Sequence, residues 1–119
     1  MKKYRVIRRA LISTNPDLVL SFIDTTNVSV LIAMKGTGVP VIVSERIFPG
    51  LHRIGKKWSI LRRLYYPHAS KLVAVTKEAA DYFGYLPTEK KKIIPNGVPS
   101  YKFDASRARQ KKIIAAGRL

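Results

Sequence analysis

Ser44, Glu45 and Arg46 place a hydroxyl, a carboxylate and a guanidinium in a row directly after an apolar run at 39–43. In an open α/β sheet, ligands bind outside the carboxyl ends of the strands. A carboxylate and a guanidinium there can hold a hydroxylated or phosphorylated acceptor. An internal Glu45–Arg46 ion pair or a solvated loop is the competing reading. Thr76 holds the equivalent place after the next apolar run, at the start of a helix, where free backbone N–H groups attract anions. Simple capping accounts for Thr76 without any ligand.

A third group is basic and amphipathic. Lys56, Lys57, Arg62 and Arg63 share a helical stretch with Trp58, Ile60, Leu61 and Leu64. Such a helix can lie on anionic lipid, with Lys56, Lys57, Trp58, Arg62 and Arg63 as the membrane-contact candidates. It can equally pack Leu61 and Leu64 on a sheet with every cation facing outward. His52 and His68 have no second ligand at metal spacing, and no Asp-x-Asp pair exists to hold a cation with a diphosphate. A dinucleotide-binding glycine fingerprint, a phosphate-binding loop and a nucleophile elbow are all missing from the sequence.

The elements that must position these residues alternate along the chain. Tyr4, Ile7, Leu11 and Thr14 line one face at helical spacing, and Asn15-Pro16-Asp17 ends that helix. Residues 18–23 read as a strand buried on both faces. Asp24 or Thr25 caps the next helix, with Val28, Leu31 and Ile32 inward and Gly36 and Gly38 closing it. Strands at 39–43, 72–75 and 93–94 follow, separated by helices at 56–66 and 76–84. Short connections between alternating strands and helices imply parallel strands joined by right-handed crossovers. The fold class is therefore α/β, a Rossmann-like parallel sheet with flanking helices. Residues 99–111 break the rhythm and read as a linker, and 112–116 as a fresh strand.

The 119 residues suit one domain, and 46% hydrophobic content can fill a core. There is no cysteine, which excludes disulfides and thiolate metal sites. Lys and Arg number 23 against 7 Asp and Glu, for a formal net charge of +16. That excess calls for nucleic acid, an anionic membrane surface or a phosphorylated ligand as partner. The longest uncharged apolar stretch, 28–34, falls far short of the roughly 20 residues that cross a bilayer. Arg8 and Arg9 interrupt any apolar core of a signal peptide. The expected location is the cytoplasm, peripheral to the inner face of a membrane.

The order of the segments resembles the family-4 glycosyltransferases of the GT-B fold. The resemblance runs through Asn15-Pro16-Asp17-Leu18-Val19-Leu20-Ser21-Phe22, then Gly36-Thr37-Gly38-Val39-Pro40-Val41-Ile42-Val43-Ser44-Glu45-Arg46. It continues through Tyr66-Pro67-His68-Ala69-Ser70-Lys71-Leu72-Val73-Ala74-Val75-Thr76 and Ile93-Ile94-Pro95-Asn96-Gly97-Val98. Ile113-Ile114-Ala115-Ala116-Gly117-Arg118-Leu119 resembles the first strand of the family's second domain. Ile47-Phe48-Pro49 and Pro99 depart from the family's usual residues at their positions.

The resemblance implies a partial acceptor-side domain over 1–98, a linker at 99–111, and the start of the donor-side domain at 112–119. It implies retaining transfer of a sugar from a nucleotide-diphosphate donor, without metal or cofactor, to a glycan or lipid-linked acceptor in cell-envelope polysaccharide or lipopolysaccharide synthesis. Gly117 and Arg118 would bind the donor diphosphate, since a fixed cation stabilises the charge gathering on that leaving group. Ser44, Glu45, Arg46 and Thr76 would serve the acceptor. Catalytic residues are expected beyond Leu119, so the chain by itself is expected to lack transferase activity. A basic nucleic-acid-binding α/β module is the alternative, supported by charge without a recognition helix, stacking motif or zinc finger. A nucleotide-binding domain of a non-transferase would share the fold but not the ordered segments.

Overall fold

A strand forms at or overlapping each of the four expected apolar runs, the last shifted so that only Ile93 of the expected 93–94 belongs to it. The strands are β1 (Val19–Phe22), β2 (Val41–Glu45), β3 (Lys71–Ala74) and β4 (Lys91–Ile93). The computed structural model describes residues 2–100. Most of the expected linker, the 112–119 strand, Gly117 and Arg118 therefore lie outside the described residues. The strands pair in sequence order, all parallel. Helices α1 (Lys2–Ile12), α2 (Asp24–Met34), α3 (Lys56–Tyr65) and α4 (Lys77–Asp81) alternate with them. The result is a Rossmann-like α/β fold.

Local chemistry sets the breaks. After α1, the Ser13 and Thr14 hydroxyls bond back to the carbonyls of Ala10 and Leu11 at 2.9 and 2.7 Å. Asn15 then turns left-handed, with φ 48°, a conformation asparagine tolerates better than most residues. Pro16 prevents any return to helix. Beyond α2, Gly36 and Gly38 both take positive φ, 75° and 78°, and carry the chain into β2.

With strand order β1-β2-β3-β4, each crossover steps the same way. Right-handed connections then place α2, α3 and α4 on one face of the sheet. Burial agrees with this arrangement. Val19 and Ser21 of β1, Val41, Val43 and Glu45 of β2, and Leu72 and Ala74 of β3 are all buried, and the register sets them side by side. The alternate residues Leu20 and Phe22 remain 53% and 45% exposed. The expectation that 18–23 is covered on both faces is therefore corrected, because among the described residues the helices share one side. β2 also begins and ends two residues later than expected, which makes Ser44 and Glu45 strand residues.

The core gathers behind the covered face. Tyr66, Phe83, Leu72, Val28 and Val43 are fully buried, and the Tyr66 and Phe83 rings lie 5.5 Å apart. α1 packs on α2 through Ile7 and Leu11, while Thr14 of the expected stripe stays exposed. On α3 the inward arc is Trp58, Leu61 and Tyr65, at i, i+3 and i+7. Leu64, expected on the sheet, is instead 59% exposed beside Ile60. Trp58 packs against the core, lining a cleft with Ile7, Leu11 and Val30. Arg62 follows it inward at i+4 and is only 4% exposed, so the expectation that every cation of this helix faces outward fails at that residue.

Two substitutions separate the faces. Phe83→Ala empties a fully buried aromatic site and should cost about 3–5 kcal/mol of unfolding free energy. Phe22→Ala on the open face should cost under about 1 kcal/mol. Urea unfolding of both variants checks this; comparable losses would mean that the second face is also covered.

Candidate functional site

The carboxyl ends of β1, β2 and β3 converge, and the polar residues there divide into a buried set and an exposed set. Glu45 closes β2 pointing inward and is 2% exposed. The Tyr66 hydroxyl donates a hydrogen bond to Glu45 Oε1. Asn27 Nδ2 in turn donates to the Tyr66 oxygen at 3.3 Å and to the Ser44 carbonyl at 3.1 Å. One chain of donors thus runs Asn27 to Tyr66 to Glu45, linking α2, the 3-10 turn Tyr66–His68 and the tip of β2.

Charge and burial oppose each other here. Burial pushes the Glu45 carboxyl above the ordinary carboxylate range, and neighbouring Asp24 adds to that rise. The Tyr66 hydrogen bond, Arg62 and His52 pull it back. Burial first, and then Glu45, raises the Tyr66 phenol, which therefore remains a protonated donor at any physiological pH. Asn27 Oδ1 and Ser21 Oγ, both buried, have no hydrogen-bond partner among the described residues.

Asp24 begins α2 one residue after β1, close to the place that Arg46 occupies after β2. The residue before it, Ile23, has φ 72° and ψ 134°. That is a strained conformation for a β-branched side chain. Asp24 Oδ1 accepts from the Thr25 N–H at 2.6 Å, and Oδ2 faces His52 Nε2 at 3.2 Å. His52, a residue alone in the sequence, is thus tied to a 5%-exposed carboxylate while remaining 44% exposed itself. A histidine oriented by a carboxylate is an arrangement that can accept or deliver a proton.

The exposed set is Arg46 and Thr76. Arg46 turns away from Glu45 and donates to Asn96 Oδ1, joining the tip of β2 to the segment after β4. The internal ion pair is therefore not formed. Thr76 caps α4 by accepting from the Ala79 N–H at 3.1 Å. Glu78 in the first turn lies below the ordinary carboxylate range, held by its own backbone N–H and the Thr76 hydroxyl. Of the four acceptor-side candidates, Ser44 and Glu45 are sealed inside and Arg46 and Thr76 face solvent. Of the membrane-contact candidates, Lys56, Lys57 and Arg63 are exposed, Trp58 is half-buried, and Arg62 is buried.

Nothing in the local sequence singles out Asn27 or Tyr66 as functional, and Asp24 reads there only as a capping residue. The strand-end rule that singled out Glu45 applies equally to Asp24. Tyr66 carries no local signal, because its role depends on the fold bringing it to Glu45.

This topology, with its polar strand ends, can be set beside known proteins. The profile described as Glycosyltransferase Family 4 matches residues 1–100. The chain belongs to glycosyltransferase family 4. Members of family 4 use nucleotide-sugar donors. The chain is also similar to a GalNAc-alpha-(1->4)-GalNAc-alpha-(1->3)-diNAcBac-PP-undecaprenol alpha-1,4-N-acetyl-D-galactosaminyltransferase of Campylobacter jejuni. They are 29% identical over 121 residues, covering 99% of this chain and 33% of that enzyme. This family-4 chain thus spans about a third of the length of the curated relative it matches. Among its described residues, no helix is long and apolar enough to cross a membrane.

Two predictions follow from the strand ends. In the window between the unfolded carboxylate value near 4.3 and the raised folded value, the folded chain holds more proton at Glu45 than the unfolded chain does. Stability must then fall as pH rises through that window. Glu45→Gln keeps an acceptor for Tyr66 and should flatten the fall, as read by thermal melts from pH 4 to 8; an unchanged slope would place the titration elsewhere. Ile23→Gly should stabilise the chain by about 1 kcal/mol, as strain relief exceeds the added chain entropy. A lower melting temperature in that variant would remove the strain argument.

Proposed function

We propose that this chain forms the acceptor side of a retaining glycosyltransferase that moves a sugar from a nucleotide-diphosphate donor to a lipid-linked glycan. The relevant process would be synthesis of a cell-envelope polysaccharide or lipopolysaccharide. The observation that carries the reading is the convergence of polar residues at the carboxyl ends of β1, β2 and β3 in a chain of family 4. The relative's lipid-linked glycan acceptor supports the choice of acceptor class.

In this reading the residues have distinct tasks. Glu45, Tyr66 and Asn27 are positioning residues that fix the tip of β2 and so aim Arg46 outward. Arg46 and Thr76 offer hydrogen-bonding groups to acceptor hydroxyls. The Asp24-oriented His52 stands near the same strand ends, where a proton leaving the acceptor hydroxyl needs a receiver. Gly117 and Arg118 would meet the donor diphosphate, with residues 1–98 as the acceptor-side domain and 99–111 as the linker. Contact with an anionic membrane through Lys56, Lys57 and Arg63 would keep the chain near its acceptor.

Amide-resolved NMR tests this on the purified chain. Titration with a water-soluble analogue of a diphosphate-linked glycan should shift the amides of Asp24, Glu45, Arg46 and Thr76. Arg46→Ala should weaken that response about tenfold, since hydrogen bonds to charged groups are worth about 1.5–3 kcal/mol. Shifts confined to the amino ends of the strands, or none at all, would overturn the reading.

A further inference from the structure

A second feature sits beside the strand ends and shares His52 with them and Lys56 with the proposed membrane contact. The segment before α3, the first turn of α3 and Tyr82 enclose a cleft of about 750 Å³. Its polar lining is His52, Arg53, Lys56, Ser59, Arg62 and Tyr82, and no carboxylate lines it. Arg62 is 4% exposed. Its Nη2 donates to the Tyr82 hydroxyl at 3.3 Å, while its Nη1 has no partner among the described residues. Among the described residues no carboxylate lies within ion-pair distance of it, the one such contact being His52 with Asp24.

A buried guanidinium N–H without an acceptor is costly, and folded proteins rarely leave one unpaired. The start of α3 shows the same shortage of negative charge. That helix has ten residues, no side-chain cap on its first N–H groups and no acidic residue in its first turn. Lys56 and Lys57 sit there instead, although the positive end of a helix dipole favours anions. Two separate features therefore lack the same thing, the unpartnered donor of Arg62 and the uncapped helix start, and both border the cationic lining. Ile54 and Ile60 also line the cleft, and Ile60 and Leu64 are exposed along the neighbouring face of α3.

We propose that this cleft binds a phosphate or diphosphate group, with Arg62 as the buried donor and Arg53, Lys56 and the first N–H groups of α3 around it. A planar guanidinium suits phosphate oxygens, and a helix start supplies further donors at no cost in charge. The apolar residues beside the cleft suit the hydrocarbon of a phosphorylated lipid. Assigning the group to the lipid-linked acceptor rests on the proposed function, whereas anion binding by the cleft does not. Arg62 is a binding residue here, held by the Tyr82 hydroxyl.

Calorimetry on the full chain with inorganic diphosphate, farnesyl diphosphate and farnesol tests this. Inorganic diphosphate should bind, farnesyl diphosphate should bind more tightly, and farnesol should not bind. Equal binding of the two diphosphates would assign the cleft to a free phosphate compound and overturn the lipid part. Arg62→Lys should weaken diphosphate binding by at least about tenfold, by loss of its planar donor pair.

Because Arg62 is buried, Arg53→Ala serves as a second, surface variant and should also weaken binding. Arg5→Ala with Arg9→Ala on α1 removes more charge at a distance and should change little. If that double variant weakens binding as much as Arg53→Ala, the +16 charge alone is responsible and the cleft is not a site. Diphosphate binding without any glycan response at Arg46 and Thr76 would retain the cleft and reject the acceptor reading. The reverse result would retain the acceptor reading and reject the cleft.

Discussion

Glu45 turns its carboxylate into the interior at the tip of a central strand, and much of this fold is arranged around that fact. A buried carboxylate is tolerated only when it is hydrogen-bonded or neutralised. The Tyr66 hydroxyl supplies the bond, and Tyr66 is itself backed by Asn27. These three residues come from β2, from the turn after α3 and from α2, so satisfying Glu45 locks a strand to two crossovers. The Pro67 turn that follows α3 is what brings Tyr66 to the strand tip. The same donor chain braces the backbone from which Arg46 leaves the sheet. Position at the site is thereby coupled to stability of the core.

The charge imbalance shapes the rest. With 23 basic residues and 7 acidic ones, most cations cannot find a carboxylate. Several settle on backbone carbonyls. Arg8 Nη1 donates to Ala33 and Lys35 at the end of α2, where the helix dipole favours a cation. Lys90 Nζ donates to the carbonyls of Pro67 and Ala69, and Lys71 Nζ to that of Glu89. Arg62 rests against the Tyr82 and Phe83 rings, a favourable placement for a guanidinium. Arg62 and the start of α3 both line the cleft. The basic excess is thus partly structural and partly concentrated near one place.

Strand and helix order was legible in the sequence because apolar runs, Asn15-Pro16, Gly36 and Thr76 are local signals. The parallel order followed from the short connections. Side-chain facing was less legible. Residues 18–23 read as a nearly continuous apolar run, and nothing in their own pattern says that all the crossovers share one side. On α3, both Trp58 and Leu64 are apolar, and only the contact with α1 and α2 decides that Trp58 goes inward and Arg62 with it. At the strand ends, Glu45 and Arg46 stood out by position, but their partners Tyr66 and Asn96 are far along the chain. Pairings of that kind arise from topology, which no local spacing encodes.

A crystal structure of the chain with a diphosphate-linked glycan would test the central claim most directly, namely that the carboxyl ends of β1, β2 and β3 receive the acceptor. The account predicts saccharide density over Arg46 and Thr76. Saccharide lying on the open sheet face, against Leu20 and Phe22, would contradict it.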